Sequence, residues 1–245
     1  VPCASGENLR QCYEDLVEET PTILVSATSC AGPPRGPACR YQVAWTINPH
    51  MAIGSVDYLT AAAQHADYVN ALERAGAAIV RLPFVHGAYD SVFAKDSALV
   101  LERRGTRKAL LAQPRHPERQ REQVARSDFF EQNGYEVVCD PDGPAWEGGD
   151  TVMLPRGLLL GYGPRSGPGA AAWLERNAEV PVTPLELCDP HLYHLDMAVT
   201  TLPDGTAIVC ETALTPSAIR ALERTPGIRQ IVTVRRVDAL AFGLN

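Results

Sequence analysis

The apolar and polar positions of this chain follow an order of elements that recurs. The run Thr22-Ile23-Leu24-Val25-Ser26 has the length and composition of a buried strand. A loop rich in Gly and Pro covers residues 31–40, and Asn48-Pro49 follows. Apolar residues then fall at Leu59, Ala62, Ala66, Val69, Leu72 and Ala75, which is the spacing of one helix face, and Gly76 stands where a helix stop belongs. This predicts a helix over residues 57–75 and a strand over 77–82. The order repeats with strands over 97–102 and 108–112, a helix over 117–132 stopped near Gly134, and a strand over 135–139. A hairpin over 151–154 and 158–162 leads to a helix over 169–177 and a strand over 180–186. Strands over 197–202 and 206–209 flank the turn Pro203-Asp204-Gly205. A helix over 215–224 starts with Thr215 as cap and Pro216 at its first position, and a strand covers 228–234.

Each unit thus reads strand, strand, helix, strand, with a period of about fifty residues, as in architectures whose units bury their apolar faces against their neighbours. A radial arrangement would bring the unit entrances to a common centre. The expected class is α/β, with about four units over residues 22–245 and an N-terminal extension over 1–21 holding a short helical stretch at 9–19. A further copy would begin at Phe242-Gly243-Leu244-Asn245.

Composition narrows the function. Hydrophobic residues make up 45% and charged residues 21%, as expected of a globular chain that buries a full core. The formal net charge of -7 gives no basic footprint for nucleic acid or an anionic membrane. The longest apolar runs, such as Gly157-Leu158-Leu159-Leu160-Gly161-Tyr162, are far too short to span a bilayer. There are seven cysteines, none spaced as Cys-x-x-Cys and none with a His cluster in sequence, so no zinc site or other cofactor is expected. Their odd number and wide spacing read as mostly reduced thiols of a cytoplasmic protein, although Cys3, Cys12, Cys30 and Cys39 crowd together and leave a disulfide there open.

The unit entrances carry the candidate chemistry. Asp90, Asp96, Glu147, Asp150 and Asp196 suit a planar cation with many donors, because a guanidinium matches carboxylates in bidentate pairs. His194 among them suits a general acid/base, and Phe93 suits the flat face of the cation. Arg115, Arg119 and Arg165 fall in loops where they could hold the α-carboxylate of an amino acid. Singly, each motif also has an ordinary structural reading: Glu147-Gly148-Gly149-Asp150 as a turn, His194 as a bonded core histidine, Asp196 as a cap. Recurrence at equivalent points of successive units favours the functional one.

In order, Asn48-Pro49, Asp90-x-x-Phe93-x-x-Asp96, Glu147-Gly148-Gly149-Asp150, Gly161-x-Gly163-x-Arg165-Ser166 and His194-Leu195-Asp196 resemble the guanidine-modifying superfamily. That superfamily holds dimethylarginine dimethylaminohydrolase, arginine deiminase and the amidinotransferases, and the likeness is closest to its compact dimethylargininase-like members. The resemblance implies a pseudo-fivefold α/β propeller with its active site at the hub. It implies Glu147 and His194 as catalytic, Asp96 and Asp90 as guanidinium ligands, and Arg165 and Arg115 as ligands of the substrate carboxylate. It also implies a cysteine nucleophile, a covalent thiouronium intermediate, and citrulline as product from arginine or a methylated arginine. The chain departs from the pattern at Lys95, beside the binding Asp. None of its seven cysteines has the glycine-rich context of the family's nucleophile, which belongs to the expected fifth unit. Two other readings stand beside the hydrolase: an amidinotransferase using an arginine-type donor, and a homologue that binds a guanidino ligand or protein partner without turnover. The oligomeric state, including a homo-oligomer, is left open.

Overall fold

The computed structural model describes residues 20–33, 36–103 and 105–244. The stretch 9–19 lies outside them. The first unit comprises β1 (Thr22–Ser26), α1 (Tyr58–Arg74) and β2 (Ala78–Leu82). The second comprises β3 (Ala98–Arg103), β4 (Thr106–Leu111), α2 (Pro117–Gln120), α3 (Glu122–Gln132) and β5 (Glu136–Val138). The third has β6 (Thr151–Leu154), β7 (Gly157–Tyr162), α4 (Ala170–Ala178) and β8 (Val182–Glu186). The fourth has β9 (Val199–Thr201), β10 (Thr206–Val209), α5 (Pro216–Glu223) and β11 (Gln230–Thr233), and α6 (Arg236–Leu240) follows it.

The last three units share one topology. An antiparallel hairpin supplies the first two strands, and the third strand pairs parallel to the second, as in Leu158↔Val182 through Tyr162↔Glu186. Parallel pairing needs a crossover, and the helix of each unit provides it. The first unit differs from the expected pattern. Among the described residues it pairs only β1 with β2, in parallel, with α1 as crossover.

Local chemistry sets several of these boundaries. Asp57 caps α1, accepting from the Thr60 N–H at 2.9 Å, and Gly76 at φ 93 lets the chain leave the helix. Thr215 caps α5 through Ala218, with Pro216 at the first helical position. Three expectations change. The helix expected over 117–132 is interrupted at Arg121, which keeps helical angles while the bonding ladder breaks. The apolar stripe of α1 is less covered than its periodicity implies: Val69 is buried, whereas Leu59 and Ala66 are exposed. The short α6 was not expected from the sequence.

Apolar clusters lie between successive units. One joins Leu82 to Ala109, Leu111 and Phe130, a second joins Leu99 and Leu110 to Leu160, Trp173 and Leu174, and a third joins Leu185 and Leu195 to Val209 and Leu222. The central strand β7 is buried from Gly157 to Gly161, which explains its uninterrupted leucines. Between the clusters, 3-10 turns at Ala94–Ser97, Gly148–Asp150 and Leu195–Met197 converge. A methyl on Gly148 would overlap the Lys95 carbonyl oxygen, and one on Gly149 would lie 2.5 Å from Asp96 Oδ1 and 2.9 Å from His194 Cγ. The contrast with Gly167, whose nearest neighbour would be 3.5 Å away, makes a test. Gly148→Ala is expected to lower stability by about 2–3 kcal/mol or more, and Gly167→Ala by less than about 1 kcal/mol, as read by urea unfolding. Equal effects of the two would contradict this packing.

Candidate active site

Two unit entrances line a cavity of about 530 Å³, and a third packs against them behind its wall. Each places its chemistry one turn before its first strand. Asp96 lies in the 3-10 turn leading into β3, with its N–H on the Phe93 carbonyl at 3.2 Å. Glu147 is fixed by the paired bridge between Gln113 and Trp146, in which each N–H donates to the other's carbonyl at 2.9 Å, and by the Asp150 N–H on its own carbonyl at 3.0 Å. His194 precedes the turn into β9, where the Met197 N–H donates to its carbonyl at 3.2 Å. The bulky, buried Trp146 and Leu195 hold these turns from below.

His194 Nε2 lies 3.6 Å from Asp96 Oδ1 and 3.8 Å from Glu147 Oε2, and its Nδ1 lies 3.3 Å from Asp150 Oδ1. Both ring nitrogens are buried and form no hydrogen bond among the described residues. Asp150, fully buried, accepts from the Ser166 hydroxyl at 2.5 Å and from the Leu195 N–H at 3.1 Å. It therefore orients the His194 segment from beneath.

Two buried arginines neutralise the carboxylates. Arg165 Nη1 donates to both oxygens of Glu147 at 3.2 Å, its Nη2 donates to the Ile47 carbonyl at 2.7 Å, and its guanidinium lies 4.5 Å over the Tyr193 ring. Arg119 grips Glu122 through two N–H groups at 2.6 and 3.2 Å and donates to Asp96 at 2.9 Å. At the rim, Trp45 Nε1 donates to Asp90 at 2.8 Å and Lys95 Nζ donates to Asp196 at 2.6 Å.

Electrostatics follow from this packing. Burial alone would push the His194 imidazole toward neutrality, but Asp96, Asp150 and Glu147 outweigh it and raise its pKa to about 9. Burial likewise opposes ionisation of Asp96, and His194, Arg119 and Arg165 overcome it, holding its pKa at about 2. Asp196 is pushed up by burial, against the pull of Lys95 and His194. The centre is thus an imidazolium among carboxylates beside a cavity with both signs of charge on its walls.

The residues singled out from the sequence divide into three groups. Asp90, Phe93, Asp96, Arg119, Arg165, His194 and Asp196 line the cavity. Glu147 and Asp150 are buried behind it, with Glu147 against Arg165 and His194 and with Asp150 bonded to structural donors rather than facing the cavity. Arg115 does not line the cavity; its guanidinium donates to the Ser166 carbonyl at 3.2 Å and braces the loop that carries Arg165. The sequence reading gave no role to Tyr193, Trp45 or Glu122. Tyr193 adjoins His194 in sequence, and Arg119 with Glu122 makes an i,i+3 charge pair, so these two had a local signal. Trp45 had none.

The charge state of the centre sets a pH dependence. The folded-state pKa of His194 lies above the ordinary 6.5, so its contribution to stability is complete below about pH 6.5 and is lost as pH rises through about 9. The folded-state pKa of Asp96 lies below 3.8, so its contribution is present above 3.8 and is lost as pH falls through about 2. Urea midpoints are expected to be higher at pH 6 than at pH 9, with the alkaline decline flattened in His194→Gln. A midpoint that holds through pH 9 would show that the carboxylates do not keep this ring charged.

No protein-family profile matches the chain. It is 30% identical over 210 residues to the N(G),N(G)-dimethylarginine dimethylaminohydrolase of Mycobacterium tuberculosis, covering 85% of this chain and 67% of that protein. It is 30% identical over 159 residues to the bifunctional arginine dihydrolase/ornithine cyclodeaminase AgrE of Nostoc, covering 64% of this chain and 22% of that protein. Among solved structures, the N-terminal domain of the cyanobacterial arginine dihydrolase ArgZ, bound to product, superposes with a TM-score of 0.79 at 27% identity, covering 93% of this chain and 80% of that one. The dimethylarginine dimethylaminohydrolase of Pseudomonas aeruginosa, complexed with citrulline, superposes with a TM-score of 0.64 at 20% identity, covering 90% of this chain and 78% of that one, and shares the fold. These neighbours have the propeller-like pentein fold expected from the repeated units. The chain therefore belongs to the dimethylarginine dimethylaminohydrolase family of guanidino hydrolases, within the guanidine-modifying superfamily.

Proposed function

We propose that the protein hydrolyses the guanidino group of free arginine or of a methylated arginine, giving citrulline and ammonia or an amine. The observation that carries this reading is His194, whose two ring nitrogens are unbonded among the described residues and held within 4 Å of Asp96, Glu147 and Asp150 at the wall of a cavity. A substrate guanidinium entering there would meet Asp96 as acceptor, with Glu147 buried just behind it, and give up water for fixed carboxylates. The aromatic faces of Phe93 and Tyr193 also border the cavity. Asp90 and Asp196 at the rim suit the substrate ammonium. Arg165 suits its carboxylate only by loosening its hold on Glu147, and Arg119 and Lys95 are the other cations on the cavity wall. Arg115, turned to Ser166, has no part in this scheme.

In the reaction a thiolate attacks the guanidino carbon. A sulfur–carbon bond forms, and the departing nitrogen takes a proton from His194 and leaves as ammonia or an amine. Water then adds to the thiouronium carbon, giving its proton to His194. The added hydroxyl loses its remaining proton to solvent as the sulfur–carbon bond breaks, and citrulline and thiolate are released. No cysteine among the described residues lines the cavity, so none of them is assigned as the thiol of this scheme. The hydrolase reading ranks above the transferase because the named relatives are hydrolases.

The test is citrulline release from arginine and from methylated arginines by the protein purified from its natural source, paired with thermal shifts. His194→Ala is expected to lower turnover by about 10²–10⁴-fold. Asp96→Asn is expected to weaken the arginine-induced stabilisation by at least about tenfold in apparent affinity. Stabilisation with no product from any of these substrates would instead favour the binding homologue, and ornithine in place of citrulline would favour the transferase.

A further inference from the structure

A second cluster of reactive side chains lies away from the cavity. Cys39 Sγ is 3.2 Å from His86 Nδ1, and the ligand atoms of Cys30, Cys39 and His86 all lie within 4.8 Å of one another. We propose that these three residues bind a thiophilic divalent cation, zinc in particular, at a site separate from the active centre.

The backbone has built the cluster before any metal arrives. Ser29 and Arg40 form an antiparallel bridge, and the Cys30 N–H donates to the Cys39 carbonyl at 2.8 Å, so the two thiols are brought opposite each other across a closed loop. The Tyr41 N–H donates to the Thr28 carbonyl at 2.8 Å and closes the loop again one step outward. Gly36, at φ 97, starts the 3-10 turn Pro37–Cys39 that presents Cys39. The Gly87 N–H donates to the Ala38 carbonyl at 3.0 Å and docks the His86 turn against that loop. Ligand spacing is thus fixed by main-chain bonds, which is the preorganisation a metal site needs.

The donor set and dimensions fit. Two thiolates and an imidazole select a soft or borderline cation rather than magnesium or calcium. Zinc bonds of about 2.3 Å to sulfur and 2.0 Å to nitrogen place tetrahedral ligands about 3.5–3.8 Å apart, so the cluster needs to shift by less than about 1 Å. Cys39 is buried, Cys30 is half-buried and His86 is exposed, which gives the ion a path to solvent on the His86 side. The fourth position of a tetrahedral site falls to water or to a further side chain. The other triad within the same spacing, Asp96, Glu147 and His194, belongs to the active centre, where Arg119 and Arg165 pair with its carboxylates.

Zinc here would brace two segments that reach the active centre. His86 lies four residues before Asp90, and the loop that ends at Arg40 runs on to Trp45, the donor to Asp90. Sequence spacing hides the cluster, since 47 residues separate Cys39 from His86 and no Cys-x-x-Cys is present.

The experiment is zinc and cobalt titration of the purified, reduced full chain, with metal content measured after desalting. One equivalent of zinc is expected, with thiolate-to-metal charge-transfer absorption in the cobalt form. Zinc at a hundredfold excess over its Kd should raise Tm by at least about 5 °C. Cys39→Ser and the exposed, fold-neutral His86→Ala should each weaken binding at least tenfold, while His194→Ala should leave it intact. Three results would overturn the proposal: no retained zinc, zinc whose affinity is unchanged in His86→Ala, or zinc lost in His194→Ala. A Cys30–Cys39 disulfide found by peptide mapping of the protein as purified would overturn it as well.

Discussion

The fold turns on the close approach of three chain entrances at Gly148 and Gly149. There the Lys95 carbonyl, the Asp96 carboxylate and the His194 ring stand where any side chain would have to go. Interiors are packed to crystal-like density, so this contact cannot be loosened locally without moving a whole unit. Because each entrance leads directly into the first strand of its unit, the register of three sheets and the position of three ionisable groups are set by the same contact. Stability and site geometry are therefore not separable here.

The second constraint is electrostatic. Placing Glu147, Asp150 and Asp96 around a histidine in a buried centre would be prohibitive without counter-charges, because an isolated buried carboxylate is strongly disfavoured. The protein answers with Arg165, Arg119 and the His194 ring itself. Each guanidinium is held by further contacts: Arg165 by the Ile47 carbonyl and the Tyr193 face, Arg119 by Glu122. Arginine suits this role because its planar fork reaches several acceptors at once and stays charged. The result is a centre in which protein guanidinium groups balance the buried carboxylates around His194.

Much of this was legible along the chain. The period of about fifty residues, the strand and helix order, and the caps at Asp57 and Thr215 follow from apolar spacing and local hydrogen-bond chemistry, and the structure reproduces their boundaries to within about two residues. The partners Asp96, Glu147 and His194 were readable because they recur at equivalent points of successive units. The incomplete first sheet and the thin cover over α1 were not readable, since pairing partners and neighbouring surfaces lie outside any sequence window.

The sequence by itself determined which elements form and which residue types stand at their entrances, because periodicity, caps and turn residues act over a few positions. Only the tertiary structure decided what those residues face. It turned Arg115 to the Ser166 carbonyl, put Asp150 beneath His194, brought Trp45 to Asp90, and joined Cys30 and Cys39 to His86. Those outcomes depend on side-chain directions and contacts between segments tens of residues apart, and long-range packing alone fixes them.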